Sequence, residues 1–148
     1  MLYVAYGSNM NVDQMRRRCP GARLLGSGML AGYRLVFRGR DGNCHATIDE
    51  AVDGRVPVLL WNITPADEKS LDRYEGFPSY YRKERVLVGH KRQLLIGMAY
   101  VMNGEAMGRP SEAYFETILQ GYRAAGIDAA PLVDALRLAQ NSQRRAKA

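Results

Sequence analysis

The chain has 148 residues, 47% of them hydrophobic and 24% charged, which suits one domain with a substantial core. No apolar stretch approaches the length of a membrane-spanning helix, and no basic segment leads into a hydrophobic signal region, so neither a membrane span nor secretion is expected. The formal charge of +6 is concentrated in the first forty residues and in the Arg144-Arg145-Ala146-Lys147 tail. With no nucleic-acid-binding motif beside it, that charge reads as a solvated basic surface favouring small acidic ligands, and a nucleic-acid partner is not expected.

Leu2 to Tyr6 is a run of β-formers that enters the polar turn Gly7-Ser8-Asn9-Met10. Asn11 then has the character of an N-cap, with Gln14 at capping-box spacing. That helix should stop near Cys19-Pro20-Gly21, because the residue before a proline is biased away from helix. Two strands are predicted next, over Arg23 to Leu30 and Tyr33 to Arg38, joined through Ala31-Gly32. A turn at Arg40 to Asn43, a short strand at Ala46 to Ile48 and a strong strand at Val56 to Ile63 follow.

Thr64-Pro65-Ala66-Asp67 opens a helix, with Thr64 as cap and Pro65 at its first position, and that helix runs to about Tyr74. Tyr81 to Val88 and Leu94 to Met102 read as strands. Ser111 caps a helix with apolar residues Tyr114, Phe115, Ile118, Leu119 and Tyr122 at helical spacing, and a last helix starts at Asp128. Strands dominate the first two thirds without regular strand–helix alternation, so the fold class is α+β. The domain is expected over residues 1–143, with 144–148 a basic, disordered tail.

Residues 6–10, taken by themselves, read as an ordinary strand-to-helix turn, although exposed N–H groups beside a helix start can attract an anion. Glu75 follows Leu71 by four residues and so lies at the edge of the core-facing stripe of its helix. Glu68, Lys69, Asp72 and Arg73 fall to solvent. Gly76, Phe77 and Pro78 would partly dry the Glu75 carboxyl and raise its pKa, as suits a proton shuttle. Read from these residues alone, Glu75 is better taken as a surface carboxylate at a fraying helix end. Ser8 has no nucleophile-elbow pattern around it. His45 and His90 lack a metal-ligand partner at the right spacing, and Cys19 and Cys44 read as reduced thiols of a cytoplasmic protein.

The order Tyr6-Gly7-Ser8-Asn9, Arg18-Cys19-Pro20-Gly21-Ala22, Gly32-Tyr33-Arg34-Leu35, Tyr74-Glu75-Gly76, Tyr81-x-Lys83 and Arg109-Pro110-Ser111 before Tyr114 resembles the γ-glutamylcyclotransferase-like family over nearly the whole chain. The resemblance implies a small mixed β-barrel flanked by helices, working without metal or cofactor. It implies release of 5-oxoproline and a free amine from a γ-glutamyl amide, with Glu75 as general base and then acid. By the same resemblance, Tyr6, Gly7, Ser8, Asn9 and Met10 hold the γ-glutamyl end, Tyr114 offers a hydroxyl contact and Tyr81 lines the pocket. Core packing is an equal reading for Tyr114. Relatives acting on glutathione carry Leu where this chain has Asn9, which favours γ-glutamyl amino acids or amines as substrates. The loops 38–45 and 102–109 would then form the leaving-group side. A hydrolase using water, or a non-catalytic small-ligand-binding module, are the alternative expectations.

Overall fold

The computed structural model describes residues 1–147. Five strands close into a barrel: β1 (Leu2–Ala5), β2 (Arg23–Arg38), β3 (His45–Asn62), β4 (Tyr81–His90) and β5 (Gln93–Met102), in the spatial order β1-β3-β2-β4-β5. Neighbours pair antiparallel except β1 and β5, which run parallel at the seam. The helices are α1 (Val12–Arg18), α2 (Pro65–Glu75), α3 (Glu112–Ala124) and α4 (Ala130–Lys147), and a short 3-10 turn spans Ser8–Met10. The α+β barrel implied by the family resemblance is the architecture observed.

The two strands expected between Arg23 and Arg38 are one strand, and so are those between Ala46 and Ile63. Both interruptions fall at the same place. Ala31 pairs with Arg55 and Tyr33 with Glu50, so residues 51–54 bulge out opposite Gly32. Gly32 takes φ +85° and Asp53 φ +63°, conformations that interrupt a regular ladder without ending the hairpin. The joint expected at Ala31-Gly32 is the site of this irregularity, but the pairing continues past it.

Helix starts follow their caps. The Asn11 side chain accepts from Gln14 N–H, and Thr64 and Asp67 complete a reciprocal capping box with Pro65 behind them. At the other end of α2, Gly76 takes the left-handed conformation at φ +65°, its N–H bonded to Arg73 O. This stop makes Glu75 the last residue of α2. Asp128 Oδ1 accepts from Ala130 N–H, so Asp128 caps α4 and the helix itself begins two residues later. The segment 144–147, expected to be a disordered tail, continues α4 to Lys147. Leu132, Ala135 and Ala139 bury one face of α4, and Gln143 Nε2 donates to Met107 O at 3.1 Å. The apolar anchoring upstream lets the basic last turn propagate. Ala148 lies outside the described residues.

Trp61, Phe37, Leu30 and Leu60 are among the fully buried side chains of the core, Phe37 packing against Tyr114 and Phe115 of α3, and α3 covers the loop after β1 with Ile118 and Tyr122. No helix among the described residues is long and apolar enough to cross a membrane.

Candidate active site

β1 and β5 finish at one end of the barrel, where β3 and β4 begin. A cavity of about 150 Å3 opens there. It is lined by Tyr3, Tyr6, Gly7, Ser8 and Asn9 from β1 and its loop, His45 and Ala46 from β3, Tyr74 and Glu75 from α2, Tyr80 and Tyr81 at the start of β4, Tyr100 from β5 and Tyr114 from α3. Segments far apart in sequence therefore converge on one small space. Met10, read with this loop, is not among them. It is fully buried beneath α3, where its backbone meets Gly121, because the 3-10 turn swings its side chain into the core.

The 3-10 turn is held from behind. Arg18 Nη1 donates to Ser8 Oγ at 3.0 Å and to Asn9 Oδ1 at 2.6 Å, and Asn9 Nδ2 donates to Tyr3 Oη at 2.9 Å. Gln14, oriented with its amide oxygen toward Ser8, accepts from Ser8 Oγ at 3.2 Å and from Arg18, so its side chain serves the turn instead of closing a capping box. The N–H groups of Gly7, Ser8 and Asn9 donate to no acceptor among the described residues. Gly7 is needed for close approach. A Cβ there would lie 3.2 Å from Ala46 Cβ and 3.3 Å from Tyr114 Oη, tight enough to force the neighbours apart.

The first residues of β3 extend beyond β1, which pairs only with Leu59 to Asn62. Hydroxyl groups close that bare edge. Tyr114 Oη accepts from Ala46 N–H at 3.0 Å, Tyr81 Oη donates to Ala46 O at 2.8 Å, and Thr47 Oγ1 accepts from Met102 N–H at 3.0 Å. Tyr6 Oη donates to Tyr100 O. Tyr114 thus both lines the cavity and satisfies backbone, and its own hydroxyl proton has no acceptor among the described residues. Tyr114→Phe should lower stability by about 1–3 kcal/mol, the cost of a buried N–H left without an acceptor. Thermal unfolding of the two proteins checks this, and an unchanged midpoint would contradict the assigned bond.

Burial pushes the Glu75 carboxyl up to about 7, and the nearby Arg18 charge acts in the opposite direction. The carboxyl therefore holds and releases a proton in the neutral range. Burial raises the phenols of Tyr3, Tyr6, Tyr81, Tyr100 and Tyr114 above the ordinary tyrosine range, keeping them protonated. It lowers His45, leaving a neutral imidazole at pH 7. Cys19 and Cys44 are pushed up to about 11 by burial and stay thiols.

α2 is fastened to the barrel by residues expected at its solvent face. Lys83 Nζ donates to Glu68 Oε2 at 2.8 Å and to Asp72 Oδ2 at 3.1 Å, and Tyr100 Oη donates to Asp72 Oδ1 at 2.6 Å. Glu68 and Asp72 are each only about one quarter exposed in their side chains, while Lys69 and Arg73 are exposed as expected. The lysine of the Tyr81-x-Lys83 pattern thus ties down the helix that carries Glu75.

A family model described as "Gamma-glutamyl cyclotransferase, AIG2-like" matches residues 3–121. The chain belongs to this family. Human γ-glutamylcyclotransferase is 26% identical over 135 residues, which span 85% of this chain and 72% of that protein. The bovine γ-glutamylcyclotransferase is 27% identical over the same shares of each chain. A solved structure of a γ-glutamyl cyclotransferase superposes with TM-score 0.82 at 23% identity, covering 91% of this chain and 85% of that one. YkqA from Bacillus subtilis superposes with TM-score 0.79 at 20% identity, over 95% of this chain and 54% of that one. At such identities the structural likeness speaks for the shared barrel.

In this γ-glutamyl cyclotransferase-family chain, Arg18, His45, Tyr80 and Asp72 are the site residues that sequence reasoning passed over. Arg18 falls within the basic first forty residues and opens the Arg18-to-Ala22 motif, but it also follows Gln14 by four residues and so shares the face turned to the 3-10 turn. His45 has no role in sequence reasoning beyond closing the 38–45 loop and lacking a metal-ligand partner. It packs edge-on against Tyr114 and Tyr80, with centroids 5.0 and 6.2 Å apart. Its Nδ1 is buried without a partner. Ser8 Oγ is engaged with Arg18 and makes no hydrogen bond to His45.

Proposed function

We propose that this protein is a cyclotransferase that cleaves γ-glutamyl amides, releasing 5-oxoproline and the free amine. The observation that carries the reading is Glu75: a carboxyl with a proton affinity near neutrality, in a small cavity beside a turn whose N–H groups have no acceptor among the described residues. The relatives named γ-glutamylcyclotransferases supply the reaction class.

Cyclisation needs the substrate's α-amine in its neutral form. The Glu75 carboxylate takes a proton from the amine as its nitrogen attacks the substrate's own δ-carbonyl carbon, forming the five-membered ring. Negative charge moves onto the carbonyl oxygen, where unpartnered N–H groups of the Gly7–Asn9 turn are suited to receive it. These groups equally suit the α-carboxylate. The carbon–nitrogen bond to the leaving group then breaks, and Glu75 returns its proton to the departing amine. One carboxyl serves both transfers, because intramolecular attack already has the benefit of proximity. The Tyr114 hydroxyl, with its proton free, is positioned to donate to substrate, and Tyr6 and Tyr81 shape the wall. Asn9 in the loop favours γ-glutamyl amino acids or γ-glutamyl amines.

The test is mass-spectrometric detection of 5-oxoproline after incubation with a panel of γ-glutamyl dipeptides and γ-glutamyl amines. Accumulation with at least one member is expected, and the rates rank the leaving groups. Glutamate in place of 5-oxoproline would mean that water is the nucleophile. Saturable binding without any product across the panel would mean a ligand-binding module.

A further inference from the structure

Three consecutive arginines end α1, but they meet different surroundings. Arg16 and Arg17 are exposed, whereas Arg18 is half-buried. Its Nη1 reaches both side-chain oxygens of the turn, at 3.0 Å to Ser8 and 2.6 Å to Asn9. Its guanidinium carbon lies 3.3 Å from the centroid of the Tyr74 ring, on the residue immediately before Glu75. Ser8 and Asn9 are themselves buried. A planar guanidinium can stack on a ring and donate in its own plane at once, and an ammonium cannot. Arg18 forms no ion pair among the described residues, so its charge is not cancelled locally.

The other titratable groups facing Glu75 come from every element around it. They are Tyr3 and Tyr6 of β1, Tyr80 and Tyr81 at the start of β4, Tyr100 of β5 and Tyr114 of α3. His45 of β3 lines the same cavity. All are neutral near pH 7. Arg18 is the cation that acts on the Glu75 carboxyl.

We infer that Arg18 is a positioning residue of this site: bonded to Ser8 and Asn9 and stacked on Tyr74, it locks the Ser8–Asn9 turn against the end of α2 and sets its positive charge one residue along the chain from Glu75. The inference rests on the proposed role of Glu75, but its test is separable from turnover.

The full chain, labelled with 13C at the glutamate side-chain carboxyls, is titrated by NMR without substrate, as wild type, Arg18→Gln and Arg18→Lys. Arg18→Gln keeps a donor for the turn and removes the charge. It should move the Glu75 midpoint to higher pH by on the order of one pH unit, and Arg18→Lys should leave it near the wild-type position. With a γ-glutamyl amide as substrate, Arg18→Lys should lower kcat/KM by about 10-fold or more through loss of the fork and the stack. Arg18→Gln should shift the acid limb of the pH profile upward as well. Identical Glu75 midpoints in all three proteins would overturn the electrostatic role. Arg18→Lys with wild-type kcat/KM would overturn the positioning role, even if Arg18→Gln failed to fold. Wild-type protein that makes no 5-oxoproline would count against the proposed reaction, while the midpoints still decide what Arg18 does to Glu75.

Discussion

Glu75→Gln is expected to reduce 5-oxoproline release by about 1000-fold or more, within the range that loss of a general acid–base group produces, while ligand binding survives. The amide occupies the same volume, so the end of α2 and the cavity wall keep their shape. Wild-type kcat/KM should fall as pH drops through about 7, because protonation removes the base. Initial rates across pH 5 to 9 measure this, and a variant with more than a tenth of wild-type activity would eliminate Glu75 as the proton carrier.

The same substitution has a stability signature of definite sign. A folded-state carboxyl raised from 4.5 to about 7 keeps a proton that the unfolded chain releases. Stability must therefore decline as pH rises between those values and level off above them. Glutamine carries no such penalty. Glu75→Gln should be the more stable protein at pH 8, by about 1–3 kcal/mol once partial exposure is allowed for, and should lose this advantage near pH 4.5. Denaturant unfolding at the two pH values reads the difference directly. Equal stability at pH 8 would mean that the carboxyl is not held out of water.

Gly121→Ala should be the most disruptive single-methyl change near the site. In most exposed helix interiors that replacement contributes about 1 kcal/mol of stability. Here the added Cβ would fall 2.3 Å from Met10 O, 2.5 Å from Met10 C and 2.8 Å from Asn11 N. All three are backbone atoms of the segment joining the 3-10 turn to α1, so no rotamer change relieves the contact. α3 must move outward, at an expected net cost of about 2 kcal/mol or more. Because Tyr114 rides on α3 and Gly7 to Asn9 lie just ahead of Met10, the displacement should also raise KM for a γ-glutamyl substrate. Thermal unfolding together with KM tests both parts, and a variant matching wild type in both would show that α3 does not clamp the turn.

Legibility in the sequence followed the range of the interactions. The caps at Asn11, Thr64 and Ser111, the Gly76 stop and the helical stripe of α3 were readable, because each is settled within a few residues. The joint at Ala31-Gly32 and the gap between Ile48 and Val56 read in sequence as strand ends. Only the cross-strand register reveals that they face each other across one hairpin. Asp72 and Glu68 were assigned to solvent by the helical wheel, which contains no information about Lys83 and Tyr100 on other strands. The basic run at 144–147 was read by composition, which leaves out the apolar anchor of α4 upstream.

The sequence alone determined the strand that leads into Gly7-Ser8-Asn9, the helix that stops just before Gly76 and, through the order of these motifs, the family. Local chemistry specifies such features, and the motif spacing carried the rest. Only the tertiary structure decided what they become together. Barrel closure brings β1, β3, β4 and β5 to one end, dries the Glu75 carboxyl and hands the bare edge of β3 to Tyr81 and Tyr114. It also singles out Arg18 from its two neighbours and turns Met10 away from the cavity. Burial and charge proximity are properties of three-dimensional neighbours, and a residue's neighbours along the chain do not specify them.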